Sequence, residues 1–160
     1  QARTGTRLNT PYGYHCLGFY QMEDFDENGN LREGIATPSW SSPQPGDLKY
    51  ADMNKDGIIT DADKTYMNNM QNLPATVYGL NLGFGYKGFS VEMLWQGAFD
   101  YYYEHWRGGV DAFDSNMQAF HLDRWTPATA YTATFPRMGF NAMNNSSFQT
   151  RSDFWLNKAH

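Results

Sequence analysis

Thr76-Val-Tyr-Gly-Leu-Asn-Leu-Gly-Phe-Gly-Tyr86 is followed, after Lys87-Gly88, by Phe89-Ser-Val-Glu-Met-Leu-Trp-Gln96. The first run alternates, with Tyr78, Leu80, Leu82, Phe84 and Tyr86 on one face and Gly79, Asn81, Gly83 and Gly85 on the other. The second run resumes the alternation: Phe89, Val91, Met93 and Trp95 share one face, and Ser90, Glu92, Leu94 and Gln96 the opposite one. A two-residue turn containing glycine between two alternating runs predicts a β-hairpin. Each run is about ten residues, the length a tilted strand needs to cross a bilayer. Apolar residues outward with small or polar residues inward is the pattern of a transmembrane barrel. A soluble sandwich hairpin also alternates, but it repeats Lys or Glu on its wet face. Here the apolar face is aromatic and free of charge, and the opposite face is unusually small and polar.

Turn lengths set the expected topology. Outer-membrane barrels have short periplasmic turns and long extracellular loops, so Lys87-Gly88 is expected in the periplasm and the flanking segments outside the cell. Tyr101, Tyr102, Tyr103 and Trp106 fall where the second strand reaches the outer interface. They suit an aromatic girdle, where amphipathic rings sit at headgroup level. The other reading of Trp106 is a ring buried beneath a loop.

Upstream of the hairpin, Asp52-Met-Asn-Lys-Asp-Gly-Ile-Ile-Thr-Asp-Ala-Asp63 reads as a calcium-type loop. Ca2+ takes about six to eight oxygens, and a short loop supplies them from alternate positions. Asp52, Asn54 and Asp56 hold the alternate side-chain positions and Gly57 permits the sharp turn. Ile58 is expected to offer its carbonyl and bury its side chain, with Thr60 acting directly or through water. Asp63 stands where an EF-hand has a bidentate Glu, so the loop must close more tightly or ligate differently. The alternative is a solvated Asp/Asn/Gly turn without metal. A structural cation site at Asp52, Asn54, Asp56, Ile58 and Asp63 is the expectation, and no paired second copy of the loop is present.

Composition agrees with a surface-exposed β protein. The net charge is −5 and no basic patch is present, which argues against nucleic acid. Aromatic residues make up 17% of the 160-residue chain, well above ordinary usage. The single cysteine, Cys16, permits no intrachain disulfide and is expected to be a small buried residue. No apolar run approaches the roughly 18 residues of a transmembrane helix. The chain begins at Gln1 without a signal peptide and is read as an internal piece of a longer protein.

The expected organisation is a strand and loop ascent over residues 1–22, an extracellular loop over 23–75 containing the calcium-type loop 52–63, a transmembrane β-hairpin over 76–98, and an extracellular loop over 99–160 up to the next strand. Asp26-Glu-Asn-Gly-Asn30 reads as a turn and Leu48-Lys-Tyr50 as a short strand entering the acidic loop. Asp61 to Gln71 is expected to hold one or two helical turns. Residues 101–158 lack periodicity, as an extracellular barrel loop would. Their aromatics, among them Trp125, Phe135 and Trp155, are expected to form exposed surface that meets a partner, the plainer alternative being that they pack the loops against each other.

The ordered set Pro45-Gly-Asp-Leu-Lys-Tyr50 and the acidic loop, Leu73-Pro74, Tyr78-Gly-Leu80, Tyr86-Lys-Gly-Phe89, Trp95-Gln-Gly97, Arg124-Trp-Thr-Pro127, Phe135-Pro-Arg137 and Ser152-Asp-Phe-Trp-Leu156 resembles the SusC/RagA family. These are TonB-dependent importers of the Bacteroidetes outer membrane. The resemblance spans about residues 12 to 159 and falls in the carboxy-terminal part of such importers. His15 and Cys16 interrupt the aromatic-glycine pattern of the first strand. The resemblance implies a mainly β fold, a fragment of a 22-stranded transmembrane β-barrel with one spanning hairpin plus long extracellular loops. It also implies glycan uptake, or import of peptides, with a SusD-like surface lipoprotein capping the loops. Energy would come from the TonB complex through an amino-terminal part outside this chain. The family's next strand would begin just beyond His160.

A competing class is a secreted calcium-stabilised β module binding carbohydrate, which accounts less well for the charge-free face of the hairpin and for a long tail without a core. An enzyme is not expected. Glu92, Glu104, His105, Asp111, Asp114, His121 and Asp123 match no zinc, nucleophile-elbow or paired-carboxylate spacing.

Overall fold

The computed structural model describes residues 4–5, 10–67, 70–104, 117–139, 143–145 and 151–159. In chain order the strands are β1 (Tyr12–Gly13), β2 (Cys16–Phe19), β3 (Thr37–Pro38), β4 (Leu48–Tyr50), β5 (Ile58–Ile59), β6 (Thr65–Tyr66), β7 (Thr76–Tyr86), β8 (Phe89–Phe99), β9 (Tyr101–Glu104) and β10 (Leu156–Ala159). Among the described residues there is no α-helix, only short 3-10 turns. The protein is mainly β, as its alternating and aromatic-rich segments predict.

Two unlike parts result. The first is a body of very short strands. β1 pairs antiparallel with β6, β2 antiparallel with β4, and β3 parallel with β5. Pro, Gly and Asn interrupt every apolar run here, so no strand grows beyond four residues. Leu48 and Tyr50 lie two apart on β4 and so face the same way, into a core with Tyr14, Ile59, Phe135 and Trp155. Burying a large apolar side chain contributes about 1.5–3 kcal/mol, so these six residues carry much of the body's stability. Phe135 and Trp155 come from the tail, which therefore has a core and supplies a third of this one, contrary to the sequence expectation.

A buried polar node closes the body. Asp47, almost fully buried, accepts from the Arg137 guanidinium, from Asn145 Nδ2 at 3.0 Å and from the Gln44 N–H at 2.9 Å. Asn145 Oδ1 accepts the Leu48 N–H at 2.8 Å, and Asn144 Oδ1 accepts from Trp40 Nε1 at 2.7 Å. Segments about a hundred residues apart are thus joined by satisfied polar groups, which is the only form in which buried polar groups are tolerated. Gly46 beside it has φ +89°, and a Cβ there would strike the Trp125 ring. Only glycine meets both demands.

The second part is the hairpin. β7 and β8 pair residue for residue over eleven rungs, from Thr76↔Phe99 to Tyr86↔Phe89. Lys87 and Gly88 both have positive φ (46° and 88°), the geometry of a two-residue type I′ turn. Every residue from Thr76 to Gln96 is exposed, and exposure falls only at Ala98 and at Gly97, which lies against the ring of its partner Tyr78.

Several boundaries differ from expectation. The exit of the acidic loop is a single 3-10 turn, Asp61–Asp63, which gives way to β6 instead of a longer helix. The segment after β8 is not purely loop. Asp100, at φ +65°, interrupts the strand, and β9 continues beyond it to pair with β10. On its other edge β9 donates the Tyr102 N–H to the Gln71 carbonyl at 2.6 Å. A further strand therefore begins at Leu156, ahead of the position the family resemblance implies.

Candidate functional site

In an antiparallel pair, residues directly opposite share a face. One face of the hairpin carries Tyr78, Leu80, Leu82, Phe84 and Tyr86 from β7 and Phe89, Val91, Met93, Trp95 and Phe99 from β8. No charge interrupts it. Leu82 opposite Met93 stands near its middle, and Phe84 and Phe89 are 69% and 82% exposed. The other face carries Gly79, Asn81, Gly83, Gly85, Ser90, Glu92, Gln96 and Ala98, with Val77 near the body and Leu94 as its large apolar side chains. The two faces are those the sequence predicts. Aromatic rings mark both ends of the apolar face: Tyr86 and Phe89 at the turn, and Tyr78 with Phe99, ring centroids 6.3 Å apart, near the body. Lys87 Nζ lies 5.2 Å from the centre of the Tyr86 ring, a charge held at the tip.

The eleven rungs make ten steps of about 3.4 Å, roughly 34 Å along the strand. At a tilt of about 40° this projects to about 26 Å, close to the roughly 25 Å apolar band of outer-membrane barrels. In water, a two-stranded hairpin with both faces exposed is marginal. Among the described residues, Thr76 to Gln96 stay exposed on both faces.

The acidic loop is arranged around its own N–H groups. Asp52 accepts from the Lys55 and Gly57 N–H groups at 2.6 and 2.7 Å, Asn54 Oδ1 from the Asp56 N–H at 3.0 Å, and Asp56 from the Ile58 N–H at 2.9 Å. Asn54 Nδ2 donates to Asp56 at 2.8 Å. Asp63 is fully buried and accepts from the Met53, Asn54 and Thr60 N–H groups, forming a capping box with Thr60. Burial pushes its carboxyl up, but the N–H bonds outweigh this and hold it below the usual carboxylate range. Asn54 and Asp56 are exposed and Asp52 is half-buried, whereas Asp63 is turned into the cap. Ionised carboxylates retain lone pairs beyond those used by N–H groups, so a hard cation would be taken from the exposed side. Among the described residues no three His, Cys, Asp or Glu side chains form a metal-holding group. Ile58 departs from expectation: it is 49% exposed, and its neighbour Ile59 enters the core. Strand alternation allows only one of the two inside.

Of the described titratable groups weighed for catalysis, Glu104 and His121 are engaged. Glu104 pairs with Arg151 at 2.7 Å, and buried His121 packs its ring against Phe120 and Phe135 while its Nδ1 meets the Gln118 N–H. Glu92 stands opposite Gly83 on the hairpin, and the Asp123 carbonyl accepts the Thr134 N–H. His105, Asp111 and Asp114 lie outside the described residues, as does Trp106 of the expected girdle. Cys16 is half-buried, and burial pushes its thiol up to about 12, so it is no thiolate at neutral pH. The tail aromatics also depart from expectation, since Trp125, Phe135 and Trp155 are buried and pack the loops against each other. The sequence shows Asp47 and Arg137 only in separate motifs; that they join Asn144 and Asn145 in one node is visible only in the fold. No protein-family model matches the chain, and no curated protein matches its sequence.

Proposed function

We propose that the chain is part of a TonB-dependent outer-membrane importer of the SusC/RagA type. In this reading β7 and β8 are two adjacent strands of its β-barrel, with the apolar face against lipid and the Asn81–Glu92 face toward the lumen. The observation that carries the reading is the hairpin: two eleven-residue strands, exposed on both faces, one face apolar and uncharged from Tyr78 to Phe99. Its projected height suits an outer membrane, and the short turn suits the periplasmic side. The body of short strands would then stand outside the cell. There it would take part in oligosaccharide or peptide import with a SusD-like lipoprotein, driven by the TonB complex through another part of the protein.

The test is fractionation of the native protein. It should remain with outer membranes after an alkaline carbonate wash and need detergent for release. Release by the wash alone would remove the reading and favour a secreted module. Docking of the lipoprotein is tested by deleting residues 108–117. The deletion stops short of Phe120, which packs 5.3 Å from Phe135. The barrel should still assemble while co-purification of the lipoprotein falls; unchanged co-purification would exclude this loop as a main docking element. For the acidic loop, the same reading assigns a structural Ca2+ on the side of Asp52, Asn54 and Asp56. Millimolar calcium should raise the body's thermal midpoint, and Asp52→Asn should abolish the rise; no rise in the parent would leave the loop a metal-free turn.

A further inference from the structure

A cavity of about 270 Å3 lies where β9 meets the tail. That is just below the range of drug-sized sites, about 300–1,000 Å3, and suits a single small ring. Pro11 and Leu156 line it and are buried, and Met70 lines it half-buried. Backbone bonds tie this frame together. Met67 donates its N–H to the Pro11 carbonyl and accepts the Met70 N–H at its own carbonyl, each at 2.9 Å. The Arg151 carbonyl accepts the Tyr14 N–H at 2.9 Å, and Glu104 stands opposite Leu156 in the β9–β10 ladder.

Glu104 and Arg151 supply the charged groups of the lining. One carboxylate oxygen of Glu104 accepts from Arg151 Nη2 at 2.7 Å. The other, Oε1, is buried with no hydrogen-bond partner. The Arg151 side chain is 45% exposed and makes no other hydrogen bond among the described residues. A buried oxygen left open is costly, so Oε1 calls for a donor. Beside it, the unused N–H groups of the guanidinium call for an acceptor. The charges of the pair cancel, so a charged occupant would be desolvated without a counter-charge.

An open acceptor next to an open donor selects a ligand with a donor and an acceptor on one edge. A peptide amide does not present both, because its trans geometry points N–H and C=O in opposite directions. Ring closure forces the amide cis and brings both groups to the same edge. Tyr102, two residues from Glu104 on β9 and so on the same face, also lines the cavity. With Met70 and Leu156 it offers apolar surface to a flat ring. We infer that this cavity binds a small neutral cyclic amide, its N–H on Glu104 Oε1 and its C=O on Arg151, with uracil as the probe. The site goes beyond the importer reading and does not rest on it, since none of the described lining residues lies on β7 or β8.

The test is equilibrium dialysis of the intact protein in detergent against labelled uracil, with three competitors: dimethyluracil methylated on both ring nitrogens, glucose, and alanine blocked as two trans amides. Uracil should bind. Dimethyluracil keeps the ring and both carbonyls but has no N–H, and should bind about tenfold more weakly, as expected for loss of a hydrogen bond to a charged group. Glucose and blocked alanine should not displace uracil. Glu104→Gln should weaken uracil about tenfold, because a charge-assisted acceptor becomes a neutral one. The dimethyluracil comparison uses the unaltered protein, so it decides the matter even where the variant fails to fold. The proposal is overturned if uracil does not bind the folded protein, if dimethyluracil binds as well as uracil, if glucose or blocked alanine displaces it, or if the folded Glu104 variant binds like the parent. Uracil binding by a protein that the carbonate wash releases would remove the importer reading alone.

Discussion

The hairpin and the body solve the same problem in opposite ways. Along β7 and β8 the apolar side chains alternate for eleven rungs and stay exposed, Leu82 and Met93 at 44% each. In the body no strand exceeds four residues, yet Tyr20, Leu48, Ile59, Tyr50 and Trp155 are almost completely buried. Along the hairpin, alternation runs on with no described residue of the body burying it; under the importer reading, lipid and neighbouring strands cover it. Short irregular segments with buried rings mean that the chain supplies its own cover. The hairpin is therefore where the importer reading is tested, and the body is where internal packing and polar contacts decide stability.

The strongest way to break this contrast is at the polar node. Asp47→Ala leaves the Arg137 guanidinium, only 20% exposed, without its carboxylate and strips acceptors from Gln44 and Asn145. Loss of one partner of a buried pair costs about 3–5 kcal/mol. Denaturant unfolding should show the body destabilised by that amount, with proteolysis falling in residues 40–48 and 137–145 and the hairpin unaffected. An effect below about 1 kcal/mol would mean that the node is not what closes the body.

Neighbouring hairpin residues sharpen the other side. Leu82→Arg should cost about 2–4 kcal/mol in reversible folding into lipid, as for a charge at mid-bilayer on the lipid face. Asn81→Arg, one residue away on the opposite face, should cost far less. Equal costs would equalise the two faces and sink the membrane reading.

A smaller effect belongs to the cap of the acidic loop. The Asp63 carboxyl is depressed below its ordinary 3.8 by the N–H groups it accepts. A depressed acid contributes stability that is fully present above its unfolded value and is lost as pH falls through its folded value. Asp63→Asn should therefore cost about 1–2 kcal/mol at neutral pH. The gap between parent and variant should close as thermal melts are taken below about pH 3.8. A gap that persists unchanged into acid would place the cost in packing, not in charge.

How far each part was legible follows from the same contrast. Period-two alternation is a local signal, so both faces and the turn at Lys87-Gly88 were readable from residues 76–96 alone, whereas β8 runs on to Phe99. Leu48-Lys-Tyr50 and the Asp26–Asn30 turn were readable for the same reason. The body was not, because its partners are distant in sequence: Tyr14 meets Trp40 and Tyr50, and Asp47 meets Arg137 and Asn145. No window of sequence contains those pairs, so Trp125 and Trp155 read as exposed surface when they are interior. The Ile58/Ile59 exchange shows the finer version. A loop template assigns burial by position, but β5 pairs with β3 and sends Ile59 inward. At the cavity, Tyr101-Tyr-Tyr-Glu104 was visible as a run, whereas its meeting with Arg151 exists only in three dimensions.

Whether lipid covers one face of the hairpin and water the other is read out by spin-label accessibility in bilayers. On a Cys16→Ser background, single labels are attached after Leu82→Cys, Met93→Cys, Asn81→Cys and Glu92→Cys, and relaxation by oxygen and by a water-soluble nickel chelate is compared. Oxygen concentrates in hydrocarbon and the chelate in water. High oxygen and low chelate accessibility are expected at 82 and 93, and the reverse at 81 and 92. Chelate access at all four positions, or none from either reagent, would contradict that pattern.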